Sequence, residues 1–432
     1  MKKRFIFILC GLFLCAGTIA ATDYNALQQG AVGDGRTLNT KSLQSAIDAL
    51  HEKGGGQLYF PAGRYLTGSL QLKSNVTLYL EKEAVLLGST SPYDYPGFST
   101  EKELKVNNDH FDQALIYVEG AENIDITGEG CIDGQGRELA LTIDSLHHTG
   151  ELVDKHYNTY RKRPNTRPKL LFMRNCRKVE LRKTNFRSGA AWGLSFSLCA
   201  DLTIDSLHVE NRAYWNNDGI DISDCKEVRI SNCFINSADD GICLKSHNRG
   251  AWNDRVSISN CHIISSASAI KFGTESLGGF KNVTIDNIRI KDTFRSAIAI
   301  ESVDGAEIEN VKLENIEIVC PGRATRGMAY MSVSRLKDVP ENEKGYPEFT
   351  MFEELPSWGF YVRHVKGIQM HNVKLRLQED DFRPTFVFDR VSNVRLSGIS
   401  LPENKKAGQV VLRQTSLQSA DNAVKEYITE VE

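Results

Sequence analysis

Apolar and polar residues alternate in short bursts along most of this chain, in units of the form x-Val-x-Ile-x-Asn. Val179-Glu180-Leu181, Leu202-Thr203-Ile204, Val228-Arg229-Ile230, Val256-Ser257-Ile258, Val283-Thr284-Ile285, Val311-Lys312-Leu313, Ile368-Gln369-Met370 and Val394-Arg395-Leu396 fall into one register. Their spacings are 23, 26, 28, 27, 28, 57 and 26 residues, the 57 reading as two coils. Most units continue into a second apolar pair, as in Val283 to Ile290. Period-two alternation marks strands with one buried face, and the Asn, Asp, Ser and Gly between them are turn residues. A repeat of this length built from short strands, with no helical pattern between them, predicts an all-β chain wound as a right-handed parallel β-helix. Leucine-rich repeats share the period but need a Leu-dominated frame, and a propeller needs longer blades and antiparallel hairpins; neither fits.

Three regions break the rhythm. In residues 23–90, Ser42 to His51 reads as a short helix, followed by Gly54-Gly55-Gly56 and strands near Gln57–Phe60 and Val76–Leu80. A helix there would cap the open end of the stack. Residues 133–168 and 319–362 read as insertions, which in a solenoid tend to gather on one face. The first 20 residues read as a signal peptide: Lys2, Lys3 and Arg4, then an apolar stretch from Phe5 to Gly17, then Ala20 and Ala21. Cys10 and Cys15 each follow a Leu, which argues for cleavage over lipid attachment. A single domain over 21–432, exported to the periplasm or the medium, is therefore expected.

The net charge of −3 argues against nucleic acid as a partner. No second apolar run is long enough to span a membrane, and a capped β-helix is expected to be a monomer. Eight of the ten cysteines lie beyond the signal segment. Export suggests disulfides, yet Cys176, Cys199 and Cys225 each precede a unit-opening apolar residue by three places, and Cys233 and Cys261 share a position with Leu207 and Ile288. Equivalent positions in stacked coils predict buried thiols acting as small hydrophobes.

The chemistry concentrates in two acidic turns about one coil apart, Asn216-Asn217-Asp218-Gly219 and Ser237-Ala238-Asp239-Asp240-Gly241. Stacked coils rise by about 4.8 Å, so Asp218 would lie beside the Asp239–Asp240 pair. Neighbouring strand residues face opposite ways, so that pair shares a site only at a strand end or bulge. Crowded carboxylates shift one another's pKa, as acid–base hydrolysis of a glycosidic bond requires. Turn residues that merely satisfy backbone donors are the plain alternative, and calcium at Asp218, Asp221 and Asp224 a third.

The chain resembles glycoside hydrolase family 28, the polygalacturonase and rhamnogalacturonase family of pectin degradation. The resemblance is carried by Gly54–Tyr65, Leu72–Leu80 and Ile124–Gly136, by Asn216-Asn217-Asp218-Gly219 where the family has Asn-Thr-Asp-Gly, and by Asp239-Asp240-Gly241. It implies single displacement with inversion: Asp239 protonates the leaving oxygen while Asp218 and Asp240 hold and deprotonate water. It implies no metal or organic cofactor.

The departures concern the substrate. Ser268, within Ala267-Ser268-Ala269, stands where the family carries the His of Gly-His-Gly, and Ala299-Ile300-Glu301 where it carries Arg-Ile-Lys. In polygalacturonases that Arg and Lys grip a galacturonate carboxylate, which Glu301 would repel. The expected substrate is thus rhamnogalacturonan or its galacturonate-containing fragments rather than plain polygalacturonate. Lys245, which resembles a family Lys, together with Lys271, His247, Asn216, Trp215 and Glu301, completes the candidate substrate-binding set. Lys271 and His247 read first as solvated surface charges and second as ligands. The basic loop Lys155 to Lys169 can meet a polyanionic glycan or simply be solvated, and Trp192, Tyr214 and Trp215 can stack on sugars or pack in the core. Strings in 319–362, Tyr346-Pro347-Glu348 and Phe360 to His364, resemble exo-acting bacterial members. A lyase, or a non-catalytic carbohydrate-binding β-helix, remains the rival reading.

Overall fold

The computed structural model describes residues 22–98, 113–322, 333–342, 355–402 and 409–432. The signal segment and Tyr346-Pro347-Glu348 lie outside them. All the strand pairings within the two sheets are parallel, and the strands form one sheet of nineteen and one of twelve. They wind as a right-handed parallel β-helix. Val179 pairs with Leu202, Leu202 with Val228, Val228 with Val256, Val256 with Val283 and Val283 with Val311. These are the residues that open each sequence unit, so the periodicity is the pairing register. Their side chains fill one continuous apolar cluster running from Ala26 to Val424.

Two expectations need correction. Val311 pairs directly with Ile368, so the 57-residue spacing is one coil carrying a long insertion, not two coils. The insertion after residue 133 also holds a helix, Gly136–Thr149, with Leu139, Ala140 and Ile143 buried along one face. A strand-period reading passes over such a segment because its apolar residues recur at helical spacing. The capping helix appears as Thr40–Glu52, burying Leu43, Ala46, Ile47 and Leu50.

The bends of the larger sheet are made by Asn with positive φ, among them Asn232, Asn260, Asn287, Asn315 and Asn372. Asn tolerates this left-handed backbone at low cost. These side chains also bond along the stack, Asn260 to Asn232 at 3.2 Å and Asn287 to Asn260 at 2.8 Å. The cysteine ladders are as expected. All eight described thiols are free, seven of them buried, and the Cys225 thiol donates to the Ser223 carbonyl at 3.2 Å.

Candidate active site

In the twelve-stranded sheet, Ile220 and Ile222 point into the core, so Asp221 and Ser223 of the same strand point outward. The acidic turns feed this outer face. Gly219 N–H donates to the Asp240 carbonyl and Gly241 N–H to the Ser268 carbonyl, both at 2.9 Å. Asp218, Asp240 and Ser268 therefore sit on three successive coils, one above the other. The glycines after the aspartates are there for stacking: a Cβ on Gly219 would meet the Gly241 carbonyl at 2.4 Å, and one on Gly241 the Ala269 carbonyl at 2.6 Å. Asp239 and Asp240 lie just ahead of the strand Ile242–Ser246, a strand end as anticipated. Asn217 holds the first turn, donating to the Gly189 and Ala191 carbonyls at 2.9 and 2.7 Å.

The three carboxylates differ in environment. Asp218 and Asp240 are each 3% exposed, whereas the Asp239 side chain is 23% exposed. Burial, reinforced by Asp221, Asp239 and Asp240, pushes Asp218 well above the usual carboxylate range. Burial acts on Asp240 too, but Lys271, Arg295 and Lys245 together outweigh it and hold this carboxyl below its ordinary value. Lys271 Nζ lies 3.3 Å from Asp240, and Arg295 lies 3.8 Å from Asp239. Asp221 is fully buried 3.8 Å from Lys245, and burial raises it to about 7. Arg295 left no local signal in the sequence, because it reaches Asp239 from 56 residues away.

The predicted binding residues divide. Lys245 and Lys271 are 4% and 5% exposed, so neither is a solvated surface charge. His247 is buried against Glu275 at 2.6 Å and Ser223 at 3.2 Å. Glu301 is sealed within the same outer face, and burial raises it to about 7. It is 0% exposed, which does not fit its reading as a direct substrate contact. The side-chain oxygen of Asn216 accepts from Arg167 at 3.0 Å and also from Arg163, so it is turned to the basic loop. That loop does reach the site: Arg167 donates to the Ala190 and Trp215 carbonyls at 2.6 and 2.5 Å. Trp215 is half exposed beside Arg161 and Arg163. Trp192 lies between Lys169 and Lys245, 5.3 and 5.0 Å from its ring. Asp224 accepts from Ser246, His247 and Asn248, facing away from calcium chemistry with Asp218. Among the described residues, no group of three His, Cys, Asp or Glu side chains is placed to hold a metal.

Both ends of this outer face are covered. Leu336, Val339 and Leu355 of the long insertion pack on Ala299, Val303, Tyr361, Val387 and Val411. At the other end Phe98 and Trp192 cover Ala114, Tyr117 and Phe172. The described residues contain no helix long and apolar enough to cross a membrane.

The sequence model of glycosyl hydrolases family 28 matches residues 56–320. A probable polygalacturonase of Vitis vinifera is 30% identical over 65% of this chain and 55% of its own. An exo-poly-alpha-D-galacturonosidase of Dickeya chrysanthemi is 28% identical over 50% of this chain and 41% of its own, so the chain spans about half the length of these relatives. The solved family 28 exopolygalacturonase of Yersinia enterocolitica has the same fold, with a TM-score of 0.70, 20% identity, and coverage of 93% of this chain and 79% of that one. With its β-helix register, stacked acidic turns and family match over more than half its length, the chain belongs to glycosyl hydrolase family 28.

Proposed function

We propose that this protein is an exported, inverting hydrolase of α-glycosidic bonds in pectic polysaccharide, acting on rhamnogalacturonan or its galacturonate-containing fragments. The observation that carries the reading is the convergence of Asp218, Asp239 and Asp240 on one outer face with opposite pKa shifts on Asp218 and Asp240. Asp239, the most accessible of the three, donates its proton to the glycosidic oxygen as the bond to the anomeric carbon breaks. Water attacks that carbon from the opposite side and gives its proton to Asp240, which its cations keep ionised; Asp218 orients the water. Asp239 and Asp240 then exchange protons with solvent to reset the site.

The substrate assignment rests on Ala299 and Glu301 standing where the family's carboxylate-gripping Arg and Lys are expected. Polygalacturonate is the second reading, favoured by the names of the Vitis and Dickeya relatives. The apolar cover on the long insertion supports end-wise attack, because a polymer could not run past Glu301 along this face.

The test is hydrolysis of rhamnogalacturonan, its debranched fragments and polygalacturonate by the purified protein, with Asp239→Asn alongside. New reducing ends on rhamnogalacturonan are expected, reduced roughly 10²–10⁴-fold in the variant with binding retained. Activity on polygalacturonate alone would overturn the substrate assignment. Products absorbing in the near ultraviolet would indicate a lyase, and a ladder of intermediate oligomers would exclude end-wise attack.

A further inference from the structure

We infer that Lys271 is a positioning residue for Asp240, set in place by Ala299 and Glu301, and not a clamp for a substrate carboxylate; the inference rests on the hydrolase reading above. Lys271 stands on the outer face between Cys243 and Ala299 of the adjacent strands. Its Nζ is 3.3 Å from Asp240, and the two side chains are 6% and 4% exposed. A clamp must present its ammonium to the cleft, whereas this one is covered and turned to a carboxylate of the protein. Ala299, its neighbour on the next strand, carries no polar group to compete for the ammonium.

Glu301 completes the arrangement. It is 0% exposed, and neither carboxyl oxygen has a hydrogen-bond partner among the described residues. The adjoining strand bulges beyond Phe272, and Gly273 there lies so close that a Cβ would meet the Glu301 carbonyl at 2.9 Å. A buried carboxyl without hydrogen bonds depends on nearby cations, and Lys271 heads those acting on Glu301, followed by Arg363 and Arg295. Lys271 thus lies between two carboxyls, one in the acid–base set and one outside it.

The groups facing Asp240 are Lys245 on the strand it leads into, Lys271 on the strand of the next coil, Arg295 from the turn one coil further on, and the Ser268 N–H at 3.2 Å. The acidic groups acting on it are Asp218, Asp221 and Glu301. Removing Lys271 takes away the largest of the cationic contributions to this carboxyl.

The experiment measures kcat, KM and the pH profile of kcat/KM for Lys271→Met, Lys271→Arg and Glu301→Gln, on the glycan that the wild type hydrolyses. Lys271→Met is expected to lower kcat more than about tenfold with KM within about twofold, and to move the acid limb up by about one pH unit. Lys271→Arg should restore most of both. Glu301→Gln should leave the acid limb in place. It should also lessen the decline above about pH 7, where ionised Glu301 competes for Lys271. A rise in KM on uronate-containing substrates, with kcat and the acid limb unchanged in Lys271→Met, would make Lys271 a clamp and overturn the inference. If Lys271→Met does not fold, Lys271→Gln is read in the same way. Asp239→Asn separates the two failures: turnover retained there sinks the hydrolase reading, whereas a dead Asp239→Asn with a KM-only Lys271 variant sinks this inference alone.

Discussion

Two stretches of one outer face carry buried charge in opposite styles. On the coils near the C-terminus, Arg363, Asp389 and Arg413 stack strand by strand. Asp389 bonds Arg413 at 2.8 Å and Arg363 at 3.3 Å, and Arg363 also reaches Glu341 at 2.6 Å. On the coils before them, Asp218 keeps one oxygen, and Asp221 and Glu301 both of theirs, buried without a hydrogen bond. Burial is as complete in both, and Glu301 shares the row of Arg363, so neither burial nor, for Glu301, register accounts for the difference. A network of bonded charges, here complete except at Arg363 Nε, stabilises one geometry. Unmet buried carboxyls are a cost that stability alone would not retain, and they lie beside the acid–base set.

Breaking the bonded network should have the largest effect on the fold. Asp389→Ala leaves two buried guanidinium groups facing each other and is expected to destabilise by roughly 3–5 kcal/mol, read from denaturant midpoints. Asp221→Asn, which removes a charge that burial already disfavours, should be close to neutral in the same measurement. Equal losses in the two variants would erase the contrast.

A pH series sharpens it. Glu301 and Asp221 are raised to about 7, so between the unfolded carboxyl range near pH 4 and about pH 7 the folded state binds more protons than the unfolded one. Their contribution is intact below that window, and stability falls as pH rises through it, by on the order of 3 kcal/mol for Glu301. Asp240, shifted the other way, loses its contribution only as pH falls through its lowered pKa, outside the window. Glu301→Gln should flatten the slope between pH 5 and 7, and an unchanged slope would refute the assignment. The smallest effect is expected at the rim: Trp215→Ala should raise KM several-fold, about 1 kcal/mol, with kcat and stability close to wild type. A collapse of kcat instead would place this ring among the reacting groups.

Much of the fold was legible because a solenoid repeats one decision: each Val or Leu opening a unit meets its equivalent in the next coil. The stacking of Asp218 on Asp240 followed from the same count. Illegible were the helix Gly136–Thr149 and the single coil between Val311 and Ile368, both set by insertions, and the burial of Lys245, Lys271 and Glu301. Outward-facing lysines on a strand read as solvated unless something covers them, and the covering segments carry no periodic signal. Arg295 was missed for a related reason, since its partner lies two coils away in the chain.

The pairing of Val311 with Ile368 across 57 residues also bears on how such a protein changes. Each coil advances the stack by one strand spacing whether its turn holds three residues or thirty. Loops can therefore be lengthened, shortened or exchanged between relatives without moving any core residue from its layer. Selection and the protein engineer then work with two nearly independent parts, an inherited ladder that fixes where the acids stand and replaceable loops that decide which polymer, and which end of it, can approach them.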